Sequence, residues 1–458
     1  MDAVVKKIDA ESRNGKLNSK YLFVSYVLCL MSAVFYSVTE SSIIGILASA
    51  LICVLAFFST VEDYFVLIFG LQFLGRAILV SFGSSQFGFI LFVYAVLFFK
   101  FLINKRAVSV EYLLIFLLLI LDIYTSAYAG VFKIGDNINW VFSLLYAVFI
   151  IKNCVLKIDF QKLVIYFLLA QWTICIINIL AEYRIFGKSL VPDMYGIYTK
   201  ELEAFAFGKA YSSVAGGNGI SLNNAMAIAF CIILFPYAKR LYLKLFYVLS
   251  ILFLGYCGVM VISRGFYVEL GIFLVLILLA NIKKPSQFIF YLILLLIIAA
   301  FIYFYAYDKL LVNIDRVIDR FDKGNDDRVL LIESAKELLK SRPMVTVFGA
   351  GSYYPDTYDF TAHNIYFDSL VSLGIVGALI YWIEIIKALF QAYKKYVKFE
   401  LKAFIPAIML FVFKFVSGST RDVGFYFYLV MIISYGIFVS GKDTVNGRKT
   451  NHRNDTGI

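Results

Sequence analysis

Four residues of this chain could do chemistry together, one histidine and three arginines. His363 opens the apolar stretch HNIYFDSLVSLGIVG, whereas His452, the other of the two histidines, lies in a polar tail. Arg264 stands alone in SRG between two apolar runs, Arg328 opens a charged helical pattern, and Arg421 sits in GSTRD. An imidazole can take the proton of a hydroxyl. Guanidinium groups stay charged and carry five fixed donors, which suits phosphate oxygens. Each residue also has a plainer explanation: a structural histidine, an arginine snorkelling to a membrane surface, a solvated helix charge, and an Arg421–Asp422 turn charge. What favours the chemical explanation is that topology places all four on one face.

The chain has 458 residues, 62% of them hydrophobic and 16% charged, with a mean hydropathy of +0.84. That composition is an all-α polytopic membrane protein's rather than a soluble domain's. Apolar runs long enough to span fall at 21–37, 41–59, 64–83, 87–103, 110–129, 138–151, 160–181, 220–238, 243–262, 266–282, 287–306, 364–386, 403–419 and 423–440. These predict about 14 transmembrane helices of roughly 20 residues each, the sixth run being the shortest. With the N-terminus in the cytoplasm, the basic clusters Lys100/Lys105/Arg106, Lys152/Lys157/Lys162, Lys239/Arg240/Lys244, Lys283/Lys284, Lys394/Lys395/Lys398/Lys402 and Lys442/Arg448/Lys449 all fall inside. The short outer loops then keep only Lys133, Arg264 and Arg421. Gaining or losing one span would invert every later loop, so the count is even and both termini are cytoplasmic. The net charge of +11 therefore fixes topology and is no sign of nucleic-acid binding. The first span has no A-x-A cleavage site and reads as retained.

Residues 1–440 read as a single transmembrane domain, followed by a polar, disordered cytoplasmic tail at 441–458. Two polar segments, 182–219 and 307–363, are too long for turns, and both lie outside. The second carries DDRVLLIESAKELLKSRP from Asp326 to Pro343, with acids first, bases last and apolar residues at helical spacing. It predicts an amphipathic helix on the outer face.

Ionisable residues inside spans cost several kcal/mol each and usually face a cavity or a partner. They are Arg76, Asp122, Glu269, Asp368, Glu384 and Lys414. All but Glu384 fall in the outer half, which suggests a polar cavity opening outward; Glu384, near the inner end, reads as a snorkelling charge. Asn364 has the chemistry of an N-cap for the span that follows His363. The positive end of that helix favours a neutral imidazole, and Asp368, one turn on, opposes the effect.

The six cysteines, all in spans or at the inner edge, form neither a disulfide nor a metal-ligand pattern. There is no P-loop and no HExxH, and GGNG at 216–219 is only a glycine turn. A site without ATP or metal needs a substrate that is already activated. A sugar on a lipid diphosphate fits: the diphosphate leaves, arginines stabilise it, and a base activates the acceptor hydroxyl.

At these residues the chain resembles the O-antigen polymerase/ligase superfamily of the Wzy type. VISRGFYVELG is similar to that family's S-R-G segment. Arg328, the run RPMVTVFGAG from Arg342 to Gly351, and HNIYFDSLVSLGIVG from His363 to Gly377 follow in the family's order and spacing. The resemblance covers roughly residues 200–390. Ile332 departs from the aromatic residue expected after the arginine, and the first 180 residues match only in being hydrophobic. The resemblance implies a GT-C-like, metal-independent inverting glycosyltransferase without cofactor, acting on undecaprenyl-diphosphate-linked oligosaccharide. Arg264 and Arg328 would bind the diphosphate, with Arg421 as a third candidate, and His363 would be the base. Asn364, Asp368, Glu269, Arg76 and Asp122 would support the polar cavity. A repeat-unit polymerase for O-antigen, capsule or exopolysaccharide in the bacterial inner membrane leads, its partners being membrane lipid, a chain-length regulator and a flippase. The ligase of the same superfamily is the alternative. A lipid-linked oligosaccharide flippase is disfavoured by the missing repeat symmetry.

Overall fold

The computed structural model describes residues 19–39, 42–58, 79–82, 85–88, 110–130, 134–186, 217–260, 264–293, 327–416 and 418–441, with a few isolated positions besides. In chain order the elements are α1 (Ser19–Thr39), α2 (Ser42–Phe58), β1 (Leu79–Phe82), β2 (Ser85–Gly88), α3 (Val110–Tyr128), α4 (Ile134–Asn153), α5 (Phe160–Phe186), α6 (Gly217–Leu234), α7 (Leu241–Met260), α8 (Arg264–Asn281), α9 (Asp327–Ser341), α10 (Pro343–Phe348), α11 (Tyr354–Tyr358), α12 (Ile365–Tyr396), α13 (Leu401–Val416) and α14 (Val423–Val439). Among the described residues, four helices are long and apolar enough to cross a membrane: Val110–Tyr128, Phe160–Ile177, Leu241–Gly258 and Ile365–Tyr396; several shorter helices are equally apolar. The expected spans at 64–83 and 87–103 lie mostly outside the described residues. Where they approach each other, β1 and β2 form an antiparallel hairpin pairing Leu79 with Gly88 and Phe82 with Ser85.

The chain divides into two compact units. One takes residues 1–108, 161–270 and 306–317. In it the Tyr26 hydroxyl of α1 donates to the Tyr166 carbonyl of α5 at 2.7 Å. Trp172 of α5 packs on Phe253 of α7, with centroids 4.6 Å apart, and its indole N–H donates to Ser250 Oγ at 3.1 Å. Aromatic side chains thus lock neighbouring helices while placing their one polar group on a partner.

The other unit takes residues 109–160, 271–305 and 318–458. Its centre is α14, apolar on every side and buried from Phe425 to Ile437, as a helix without a polar face must be. α4, α12 and α13 pack against it, and α3 packs on α4 and α12. The sixth expected span emerges as the 20-residue α4. It starts four residues before the apolar run because Asn137 is accommodated in the interior, donating to the Asp122 carboxylate at 2.7 Å. Glu384 corrects an expectation: it is buried, not snorkelling. At the end of α12 that carries Lys387, that lysine and Lys152 both reach Glu111 Oε1 at 2.9 Å.

Candidate active site around His363

α12 begins with a built N-terminus. Asn364 has extended backbone, and its side-chain oxygen accepts from the N–H groups of Tyr366 and Phe367 at 3.0 and 3.2 Å. This satisfies two donors that the first turn leaves over and is worth about 1 kcal/mol. His363, immediately before it, is exposed and adopts a left-handed φ of 48°. For a residue with a Cβ that conformation costs about 1–2 kcal/mol, so the neighbours must hold it. On one side they do so through the Asn364 cap. On the other, the buried Ala362 donates its N–H to the Tyr354 hydroxyl at 2.8 Å.

Tyr354 in turn donates to Asp368 Oδ1 at 2.8 Å. The second oxygen of Asp368 accepts from Thr420 N–H at 2.7 Å and Thr420 Oγ1 at 2.8 Å. Three donors thus converge on this buried carboxylate, which sits in the first turn of α12 at the positive end of the helix. Burial pushes the Tyr354 hydroxyl well above its ordinary pKa, and the Asp368 charge adds to this. Tyr354 therefore remains a donor at any physiological pH. Thr420 precedes Arg421, whose guanidinium lies 5.1 Å over the Tyr353 ring. Asp422 pairs with the buried Lys414. One carboxylate thus ties the His363 loop and the Arg421 loop to the same helix end.

The glycines of RPMVTVFGAG have a second task. α12 is interrupted at Gly374 (φ 65°, ψ −178°), in a region that only glycine populates readily. The break frees carbonyls of the preceding turn, and the glycine loop takes them up. Ala350 N–H donates to Val371 O at 2.8 Å and Gly351 N–H to Ser372 O at 2.9 Å. A Cβ at Gly349 (φ 89°) would lie 2.2 Å from Ser372 O, and one at Gly374 would lie 2.4 Å from Gly349 N. Beyond the loop, Ser352 donates N–H and Oγ to the Asp122 carboxylate, both at 2.7 Å. Trp140 Nε1 donates to it as well at 2.8 Å. Asp122 and Asp368 therefore turn their oxygens to protein donors and tie neighbouring segments together.

The amphipathic helix is α9, one residue shorter at its start than the acidic run. Its Ala335 and Leu338 pack with Ala350, Tyr354, Ala362 and Val371 in a small core beneath the loop. Arg328 lies in the first turn of α9 and Arg264 is the first residue of α8. Arg264 belongs to the other compact unit. Glu269 is buried in α8, and Arg76 lies outside the described residues. The structure thus gathers His363, Asn364, Asp368 and Arg421 at one helix end, braced by Asp122. Sequence reasoning missed Tyr354, Ser352 and Thr420. Thr420 had a signal, its place beside Arg421 in GSTRD. The other two are ordinary loop residues whose partners lie far away in the chain.

No curated protein and no solved structure matches the chain significantly. Residues 249–382 match the family model described as O-Antigen ligase, a stretch holding Arg264, Arg328, the glycine loop and His363. In that segment the chain is similar to the O-antigen polymerase/ligase superfamily, as its motifs imply.

Proposed function

We propose that this is a membrane glycosyltransferase that joins undecaprenyl-diphosphate-linked oligosaccharide repeats into O-antigen, capsular or exopolysaccharide chains at the outer face of the bacterial inner membrane. The observation that carries the reading is the fixation of exposed His363 in a left-handed conformation at a capped helix N-terminus, inside the segment similar to O-antigen ligase. Strain held by surrounding structure is characteristic of working sites. His363 accepts the proton of the acceptor sugar hydroxyl. The hydroxyl oxygen attacks the anomeric carbon of the donor from the face opposite the diphosphate, and the bond from that carbon to the diphosphate oxygen breaks. By the resemblance, Arg264 and Arg328 would take up the charge that develops on the leaving diphosphate, with Arg421 as a third candidate.

The ligase reading keeps the same site and changes the acceptor to lipid A–core; the matched family takes in both activities and does not separate them. Surface polysaccharide in cells lacking the protein, complemented with wild type or His363→Ala, tests both. Single-repeat chains that only the wild type extends support a polymerase. Long lipid-linked polymer that never reaches its acceptor supports the ligase. Full-length surface polysaccharide with His363→Ala refutes the catalytic histidine.

A further inference from the structure

α10 carries an apolar face that no segment covers among the described residues. Met344, Val347 and Phe348, at helical spacing, are all exposed, Met344 by 69%. In a soluble loop such a face would be a liability. Here its height is fixed by the backbone. Val347 O lies against Gly374, and the loop that follows α10 is bonded to Val371 and Ser372. Ser372 is seven residues into α12, about 10 Å below the helix start. A segment predicted to lie on the surface thus sits well inside the depth of a spanning helix.

The rest of α12 shows what meets this face. Ile375, Leu379, Ile383, Ile386 and Phe390 form one exposed apolar stripe. From Ile375 to Phe390 it covers about 22 Å of helix axis, short of the roughly 30 Å of a bilayer's hydrocarbon. The stripe stops one residue after Gly374, where α10 packs against the helix. A helix about 10 Å wide makes up the difference. At the start of α10, exposed Arg342 holds its guanidinium 5.2 Å over the Tyr358 ring and donates to the Tyr358 hydroxyl at 3.2 Å. An arginine paired with a tyrosine just above an apolar face has the chemistry of a head-group anchor.

We propose that Pro343–Phe348 is a membrane-dipping segment whose Met344, Val347 and Phe348 contact the acyl chains of the leaflet at the His363 end of α12, completing that helix's lipid-facing belt. It depends on α12 spanning the membrane and not on the role of His363. With His363 about 10 Å nearer the water, the site opens where a lipid-borne diphosphate would stand with its tail in the leaflet.

The test uses the full chain in vesicles containing radiolabelled phospholipid, with the photo-crosslinking substitutions Met344→benzoylphenylalanine and Phe348→benzoylphenylalanine, and Lys340→benzoylphenylalanine on the polar face of α9. Lipid adducts at 344 and 348, several-fold above those at 340, are expected. Equal labelling at all three, or adducts only to protein at 344 and 348, overturns the proposal. A spin label at Met344→Cys in a variant without native cysteines gives an independent reading. Collisions should favour oxygen over a water-soluble nickel chelate, with the order reversed at Lys340→Cys; nickel-dominated collisions at 344 overturn the proposal. Because neither assay reads glycosyl transfer, an inactive His363 variant that still labels lipid would separate this inference from the proposed function.

Discussion

Replacing Gly349 with alanine tests the joint between the glycine loop and α12. Gly349 holds φ 89° and ψ 168°, a glycine-only conformation that costs an alanine about 1–3 kcal/mol. The new methyl would also lie 2.2 Å from Ser372 O and 2.6 Å from Leu373 C. These are backbone atoms and cannot swing aside, so the loop must lift. Lifting breaks the bonds Ala350 N–H to Val371 O and Gly351 N–H to Ser372 O, each worth about 1 kcal/mol. The expected loss is about 3–5 kcal/mol, or at least two orders of magnitude in the folding equilibrium. The control is Gly130→Ala, where φ is also positive, at 76°, but a Cβ would meet nothing within 4 Å; strain alone costs it about 1–2 kcal/mol. Equilibrium unfolding by SDS in mixed micelles, followed by tryptophan fluorescence, compares the two. Equal shifts for Gly349→Ala and Gly130→Ala would refute the backbone joint.

Asp122→Asn should destabilise by about 2–4 kcal/mol, since an amide nitrogen must then face at least one of the four donors around that carboxylate; thermal unfolding in detergent reads it. Thr420→Val keeps the shape and the N–H bond to Asp368 but removes the hydroxyl bond, so it should cost about 1.5–3 kcal/mol and shorten the polysaccharide made in vivo by loosening Arg421. Asn364→Ala should lose about 1 kcal/mol of helix capping that Asn364→Asp retains, measurable as a difference in melting temperature between the two. Tyr354→Phe leaves Ala362 N–H and Asp368 without their shared hydroxyl and should lower turnover more than it raises KM. In the wild type, the raised Tyr354 pKa keeps its proton in place through physiological pH, so activity up to about pH 9 should show no limb from this group.

Hydropathy made most helices of the described residues legible, because a bilayer demands long runs of apolar side chains and α-helix is the form that satisfies their backbone. The Asn364 cap was legible too, since it depends on a residue and its two near neighbours. The start of α4 was not. Asn137 lowers local hydropathy, and only Asp122, fifteen residues earlier in the chain, makes its burial acceptable. Ser352 and Asp122 stand 230 residues apart, and no local pattern relates them. The same holds for the bond between glycine loop and broken helix. Each half reads as an isolated motif, and their complementarity is a property of freed carbonyls and close backbone approach.

That joint is made of peptide groups, and its demand on side chains is confined to Gly349, Gly351 and Gly374. A loop attached in this way keeps its height and its register against α12 through peptide groups, whatever its outward-facing side chains are. The frame that sets the loop's height is thus written in backbone, so outward-facing side chains such as Met344 and Phe348 can change shape while Asn364, Tyr354 and Asp368 cannot.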